Sequence, residues 1–192
     1  MKPMKRSALR WVMLSQNAMT LGSGIVFPFY LIQIKEIGGG FAEYGIAYGL
    51  FTICSAFLNG WFGRSSDRFG RTPLLLIGSW GMAGLFLLFP LATSIAQVYA
   101  LQIAMGAFGA MQRTCEKALL ADLTDGEPGR GEKIGRYQTG IALFSGIAVI
   151  AGGFLIDYFT LDLMFYAGSA LLLASGLLLL RVDERGEEGQ AG

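Results

Sequence analysis

Long apolar runs dominate this sequence and limit what it can fold into. A helix needs about 20 residues to cross the roughly 30 Å hydrocarbon layer of a bilayer, and runs of that length recur along the chain. Their residues do not alternate between apolar and polar types, as membrane β-strands would. The sequence therefore predicts an all-α membrane protein with six transmembrane helices, over residues 11–33, 42–62, 73–91, 95–120, 137–158 and 161–180.

The composition agrees with a membrane protein and excludes several kinds of function. Only 15% of the 192 residues are charged, whereas soluble domains usually contain about 25%. The net charge of +1 gives no reason to expect a nucleic-acid partner. The chain contains no histidine, which excludes a Ser-His-Asp triad, a histidine metal site and a histidine proton relay. We therefore expect no enzymatic activity, no cofactor and no metal site.

Lysines and arginines in the predicted loops indicate the orientation. If the N-terminus is cytoplasmic, the basic loops fall on the inner side, and the outer side receives only Lys35. This asymmetry satisfies the positive-inside rule. We expect an integral protein of the inner or plasma membrane, with a single bundle over residues 1–192, both termini in the cytoplasm, and a polar tail or linker over residues 181–192.

A weak internal similarity suggests two units of three helices. The second span begins YGIAYGLF, and the fifth begins TGIALF. Both spans end with a pair or near-pair of glycines before an aspartate and an aromatic residue. They cross the membrane in opposite directions, as inverted repeats require. The alternative is chance similarity between helices that are rich in glycine and phenylalanine.

A cluster of charges, GRSSDRFGR over residues 63–71, lies between the second and third spans. It resembles the loop 2-3 signature of the major facilitator superfamily, G-x-x-x-D-R-x-G-R, in residue type, spacing and predicted cytoplasmic position. The resemblance covers the whole chain but only the N-terminal half of a usual family member, and it implies a six-helix half with a 3+3 inverted repeat. The matching positions are Gly63, Asp67, Arg68, Gly70 and Arg71.

The family also implies a role for part of this cluster. In such proteins the aspartate and the last arginine form a gate-latching network with an acidic residue at the end of the fourth helix. The resemblance therefore implies a gate formed by Asp67, Arg71 and Asp122. The alternative is that the arginines of this loop only satisfy the positive-inside rule.

The first span, through LGSGIVFPFY over residues 21–30, resembles that of drug-efflux members. Three features depart from the drug-efflux pattern, and one is that the first-helix acid of some such antiporters is Asn17 here or absent. Gln102 replaces an arginine four residues before Gly106, and AVIAGG over residues 148–153 replaces G-P-x-x-G-G. The resemblance therefore implies a secondary transporter and leaves its coupling to protons open.

Polar residues at helical spacing within the spans predict a substrate cavity, because such faces should not contact lipid. The second span has the longest polar stripe, and shorter sets occur in the first, fourth and fifth spans. The alternative for each residue is a hydrogen bond between packed helices, worth about 0.6 kcal/mol on average in membranes. The predicted cavity residues are Asn17, Thr20, Tyr44, Tyr48, Thr52, Ser55, Asn59, Gln102, Arg113, Glu116 and Gln138.

Arg113 and Glu116 are the most informative of these residues. Charged groups within a span cost several kcal/mol if they face lipid, so they should face water, protein or one another. The two residues lie one helical turn apart, a spacing at which they can pair, while Lys117 can extend towards the inner interface. The functional interpretation is that Arg113 attracts an anionic or polar substrate and Glu116 carries a proton. The alternative is a structural ion pair.

These features predict a secondary transporter that moves a small solute by alternating access. A closed cavity needs a second bundle, so we expect the chain to pair with a second six-helix half or with itself. The expected partners are lipid and a small-molecule substrate, without nucleic acid. The alternative is a non-transporting membrane module, or a truncated product, that assembles with or regulates another membrane protein.

Overall fold

Helices account for most of the chain that the structure describes. The structure is a computed structural model that describes residues 3–182, with side chains from residue 8 onward. Residues 183–192, most of the predicted tail, lie outside this range. Within it there are seven α-helices, a short 3₁₀ turn at Phe89–Leu91 and no strand, so the predicted all-α class is confirmed. The helices are α1 Pro3–Val26, α2 Tyr30–Glu36, α3 Phe41–Phe69, α4 Arg71–Leu88, α5 Ile95–Thr124, α6 Arg130–Tyr158 and α7 Leu161–Leu179.

The first predicted span is broken into two helices. α1 ends at Val26 and α2 begins at Tyr30, because Pro28 has no backbone N–H to donate and restricts the residue before it. The amide of Phe29 donates to the Val26 carbonyl across the break at 2.9 Å. Together α1 and α2 still form one candidate membrane crossing, Ala8–Glu36.

Two helices extend well beyond their predicted spans. α3 continues to Phe69 rather than to residue 62, and α6 begins at Arg130 rather than at residue 137. The additional turns contain charged residues, which form helices well but interrupt the apolar pattern. They lie at the end of the bundle where α3 meets α4 at residues 69–71 and α5 meets α6 at residues 125–129. We call this end the basic end.

Within residues 3–182, five helical segments are long and apolar enough, by length and composition, to cross a membrane. α5 is outside that set, although its 30 residues exceed the length that a crossing needs. Gln102 and Gln112 lower its hydropathy, and they are only 1% and 2% exposed. Because α5 packs on both α3 and α4, these amides face other helices. The bundle therefore contains six helices of membrane-spanning length.

Five helix pairs form most of the packing: α1 with α6, α1 with α7, α4 with α5, α4 with α7, and α3 with α5. Exchanging the first three spans (α1, α3, α4) with the last three (α5, α6, α7) maps α3–α5 onto α6–α1 and α4–α5 onto α7–α1. The same exchange maps α4–α7 onto itself. This is the packing pattern expected of a 3+3 repeat.

Glycines allow the closest approaches between helices. A Cβ atom added to Gly22 of α1 would lie 2.8 Å from the carbonyl oxygen of Gly168 in α7. A Cβ atom added to Gly106 of α5 would lie 2.5 Å from the carbonyl oxygen of Phe51 in α3. Any larger residue would push these backbones apart, so both crossings depend on glycine.

Four polar side chains form a hydrogen-bonded chain through the core. The hydroxyls of Ser15 and Ser175 lie 2.9 Å apart, and that of Ser175 lies 3.5 Å from the hydroxyl of Ser79. The Gln112 amide nitrogen donates to Ser79 at 2.6 Å and to the Leu75 carbonyl at 2.7 Å. We call Ser15, Ser79, Gln112 and Ser175 the polar chain. It connects α1, α4, α5 and α7, and none of its side chains is more than 2% exposed.

Candidate functional site

One arginine connects three helices at the basic end. Gly70 has a φ of 93°, a left-handed conformation that favours glycine, and it allows α4 to begin directly after α3. The turn places Arg71 Nη2 2.6 Å from Asp67 Oδ1 in the last turns of α3. Arg71 Nε donates to Asp122 Oδ2, near the end of α5, at 3.1 Å, and Nη1 donates to the hydroxyl of Ser66.

The three charged groups of this network differ in exposure. The side chains of Asp67 and Asp122 are 65% and 54% exposed, whereas that of Arg71 is 19% exposed. Single exposed ion pairs contribute only about 0–1 kcal/mol. The contacts persist only while the basic ends of α3, α4 and α5 stay together, because the two carboxylates come from different helices. Within the described residues, no group of three or more acidic or cysteine side chains could hold a metal ion.

The other residues of the charged turn lie beside this network. Arg68 is exposed, and its guanidinium carbon lies 5.4 Å from the ring centroid of Phe69. A Cβ atom added to Gly63 would lie 3.7 Å from Cγ2 of Thr114 in α5. Gly63 therefore contributes to the packing of α3 on α5, and Arg68 points away from the Arg71 contacts.

A cavity of about 410 Å³ lies between α1, α3, α5 and α6. Its volume is within the roughly 300–1,000 Å³ that is common for small-molecule sites. The wall residues come from the middle of these helices rather than from their ends, and Met82 of α4 closes the back. The polar part of the wall includes Gln16, Thr20, Ser23, Tyr48, Gln112, Arg113, Glu116 and Ser145.

Within the described side chains, Arg113 and Glu116 both line the cavity and do not pair with each other, which disfavours the alternative of a structural ion pair. Arg113 Nη2 donates to the hydroxyl of Ser55 in α3, and its guanidinium carbon lies 5.4 Å from the ring centroid of Phe51. Glu116 Oε1 accepts a hydrogen bond from the Tyr137 hydroxyl of α6 at 2.6 Å. Each charged group has a neutral partner on a flanking helix, which competes with the partner one turn away on α5.

Two buried amide atoms in the cavity wall have no hydrogen-bond partner among the residues that the structure describes. They are Gln16 Nε2 and Gln112 Oε1, and the two side chains are 3% and 2% exposed. An unsatisfied buried polar atom costs about 1–3 kcal/mol. Native proteins rarely leave such atoms unsatisfied, and because both atoms are themselves buried, they lie beneath the surface of the cavity rather than on it.

Four of the predicted cavity residues, Thr20, Tyr48, Arg113 and Glu116, line this cavity. Ser55 is buried behind the wall as the partner of Arg113. Gln102 lies elsewhere on α5, beside a separate void of about 10 Å³, where its Oε1 has no partner among the described residues.

The remaining predicted residues are outside the cavity. Tyr44 stacks on Tyr30 with ring centroids 4.8 Å apart, and Oδ1 of Asn17 would lie 3.7 Å from a Cβ added to Gly140. The polar stripe of α3 straddles the boundary between its face towards α5 and its exposed face, so only part of it reaches the cavity. Among the predicted residues outside the cavity, the exposed ones are Thr52, Asn59 and Gln138.

Sequence reasoning did not select Gln112 and Tyr137. An amide in the middle of a membrane span is uncommon and tends to be functional, so Gln112 had a detectable signal. Tyr137 lies at the start of the predicted fifth span, where aromatic residues are common at the membrane interface. Its contact with Glu116 depends on how α6 is rotated, and no local pattern in the sequence reports that rotation.

Comparison with known proteins decides the family. A family model of the Major Facilitator Superfamily (MFS) matches residues 12–192. The chain belongs to the Major Facilitator Superfamily. Its relatives include the uncharacterized MFS-type transporter YitZ of Bacillus subtilis (strain 168), which is 45% identical over 85% of this chain and 99% of that protein. The multidrug resistance protein MdtG of Proteus mirabilis is 27% identical over 83% of this chain and 40% of that protein.

A third MFS relative, an uncharacterized MFS-type transporter of Methanocaldococcus jannaschii, is 22% identical over 85% of this chain and 42% of its own length. The chain thus spans about 40% of the longer relatives and nearly all of YitZ. The resemblance found in the charged turn is confirmed. This MFS protein is an integral membrane protein whose six membrane-spanning helices correspond to an N-terminal half of the superfamily fold.

Proposed function

We propose that this protein is half of a secondary transporter, which moves a small solute by alternating access and pairs with a second six-helix bundle. The cavity midway along α1, α3, α5 and α6 carries the proposal. Arg113, a residue of its wall, is exposed, and a charged group that opens onto hydrocarbon is costly. A second bundle over this opening would enclose a polar path near the membrane midplane, where transporters of this kind bind their substrates.

The helices beside the opening have faces that suit a second bundle. Gly45, Gly49 and Gly60 of α3, and Gly135 and Gly146 of α6, face open space, with no atom of another described element within 4 Å of an added Cβ. Small residues on exposed helix faces allow a second helix to approach closely. These faces support pairing either with another copy of this chain or with a separate second half.

Cysteine cross-linking tests pairing between copies. In a chain with Cys54 and Cys115 replaced by alanine, cysteines at Gly49 and Gly146 should cross-link two copies in membranes. A cysteine at Leu87, which is exposed on α4, is the control and should not cross-link. If no dimer forms at any protein density, pairing between copies is wrong and a separate second half remains.

Reconstitution tests transport itself. Liposomes that contain the 192-residue chain are incubated with a defined mixture of amino acids, organic acids, amines and sugars, and retained solutes are measured by mass spectrometry. We expect at least one solute to accumulate above protein-free liposomes. If none accumulates, with or without cross-linking, the chain is a non-transporting module that assembles with another membrane protein.

We also propose that the Arg71 network latches the basic end in one conformational state. Asp67→Asn or Asp122→Asn removes one of its two carboxylates, so transport should fall by up to about fivefold, equivalent to at most roughly 1 kcal/mol. A cysteine at Ser145 should react faster with a membrane-impermeant thiol reagent in either variant. The control is Asp125→Asn, because exposed Asp125 pairs with Arg130 at the same end, at 3.6 Å, outside the network. Unchanged flux and reactivity in both variants would eliminate the latch.

We propose that both termini face the cytoplasm, because the basic end carries the arginines and lysine of residues 64–71 and 130–136, whereas the opposite end carries only Lys35 among the described residues. Single cysteines at Asp125 and at Thr93 lie at opposite ends of the bundle and are exposed. In intact cells an impermeant thiol reagent should label the cysteine at Thr93 and leave the one at Asp125 unlabelled. If the cysteine at Asp125 is labelled and the one at Thr93 is not, the proposed orientation is wrong and the basic end faces outward.

A further inference from the structure

The cavity contains two opposite charges that could neutralise each other but are held apart. Arg113 and Glu116 lie one helical turn apart on α5, a spacing that suits an ion pair. Instead, Arg113 donates to Ser55 of α3, and Glu116 accepts from Tyr137 of α6 at 2.6 Å. Neutral hydroxyls on opposite flanking helices therefore separate the two charged groups, and both charged groups still line the cavity.

Two glutamine side chains of the cavity wall each have one amide atom without a hydrogen-bond partner among the described residues. Gln16 Nε2 can only donate a hydrogen bond, and Gln112 Oε1 can only accept one. Both side chains line the cavity, are at least 97% buried, and leave these atoms without a partner among the described residues. Both atoms are themselves buried, so the charged groups that the wall presents to a ligand are those of Arg113 and Glu116.

The rest of the wall suits an apolar body. Phe27, Phe51, Met19 and Met82 line the cavity together with the ring of Tyr48. The aromatic rings supply flat apolar surfaces, and methionine side chains adapt to irregular shapes. The cavity volume of about 410 Å³ accommodates a small aromatic molecule.

A ligand with a single charge would compensate only one of the two wall charges, and the other would gain no counter-charge from the ligand. A zwitterion compensates both. Resting on the proposed transport function, we infer that the substrate is a small zwitterion with an aromatic or bulky apolar body. Its anionic group binds Arg113, and its cationic group binds Glu116.

Three probes that share one aromatic body test this assignment. Naphthylalanine is a zwitterion at neutral pH, naphthylpropionate is an anion, and naphthylethylammonium is a cation. Their affinities are measured by isothermal titration calorimetry on the full chain in nanodiscs, without any flux. Because each additional charge-assisted hydrogen bond strengthens binding, we expect naphthylalanine to bind about tenfold more tightly than either singly charged probe.

Two variants should lose affinity in a crossed pattern. Arg113→Gln should weaken the binding of naphthylalanine and naphthylpropionate by about tenfold and leave naphthylethylammonium unaffected. Glu116→Gln should weaken naphthylalanine and naphthylethylammonium and spare naphthylpropionate. Arg64→Gln is the control, because Arg64 is exposed on α3 outside the cavity wall. Arg113→Lys keeps the charge and should retain the preference for naphthylalanine, which separates loss of charge from loss of folding.

The inference is overturned if naphthylalanine binds no more tightly than the better singly charged probe, if no probe binds, or if both variants weaken all three probes equally. Its failure differs from failure of the proposed transport function. A chain that binds naphthylalanine in the crossed pattern but moves no solute in liposomes retains the zwitterion site and loses the transporter. A chain that transports solute but binds the three probes without this charge preference retains the transport function and loses the zwitterion site.

Discussion

The polar chain and the cavity wall both contain serine and glutamine, but their glutamine atoms differ in hydrogen bonding. In the polar chain, the hydroxyls and the Gln112 amide nitrogen bond to one another or to a carbonyl across four helices. In the cavity wall, Gln16 Nε2 and Gln112 Oε1 are buried without a partner among the described residues. Residue type therefore does not separate structural from ligand-binding polar groups in this bundle. The difference depends on which helices surround each polar group.

Gln112 belongs to both regions and shows where they divide. Its nitrogen donates to Ser79 and to the Leu75 carbonyl on α4, whereas its oxygen lies in the cavity wall without a partner in the described chain. The side towards α4 and α7 is thus closed by internal hydrogen bonds. The side towards α1, α3 and α6 keeps polar atoms for another molecule.

Gln112→Ala should have the largest effect on stability. It removes two donated hydrogen bonds and leaves a void, so we expect the free energy of unfolding to fall by about 2–4 kcal/mol. Titration with SDS in mixed micelles provides the measurement. Gln138→Ala is the matched control at an exposed site of α6, where the change should stay within about 0.5 kcal/mol. Similar losses in the two variants would contradict a structural role for the Gln112 amide.

Ser175→Ala should have an intermediate effect. Its hydroxyl contacts those of Ser15 and Ser79, and membrane hydrogen bonds average about 0.6 kcal/mol each, so unfolding should become easier by about 1 kcal/mol. Ser145→Ala makes the same chemical change in the cavity wall and should leave stability nearly unaltered. The contrast between the two regions disappears if the Ser145 variant loses as much stability as the Ser175 variant.

Gln16→Leu should have the smallest effect and the opposite sign. Replacing an unsatisfied buried amide with an apolar side chain of similar size should leave the free energy of unfolding unchanged or raise it by up to about 1 kcal/mol. A clear loss of stability would mean that the Gln16 amide already has a partner in the membrane.

The helices and the charged turn could be predicted from the sequence because their signals are local. Apolar runs of membrane length identify the spans, and the spacing from Gly63 to Arg71 identifies the family. The break at Pro28 also has a local cause, since proline lacks the amide that a continuous helix needs. The prediction of one uninterrupted first span gave too little weight to that residue.

The partners of the cavity charges could not be predicted in the same way. Arg113 and Glu116 bond to Ser55 and Tyr137 on two other helices. Those contacts depend on how far α3 and α6 are rotated and how closely they approach, which close contacts such as that of Gly106 control. A helical spacing rule compares residues within one helix, so it favoured the Arg113–Glu116 pair and missed both real partners.

Each of the five main helix pairs joins one of the first three spans to one of the last three. The two units are therefore interleaved, and neither has a packed interior of its own. During synthesis α1, α3 and α4 enter the bilayer with few contacts among themselves, and α1 gains its α7 neighbour only when the last span has been made. Assembly of this bundle has to wait until α7 has been synthesised, so the first three spans need protection from other helices in the membrane until then.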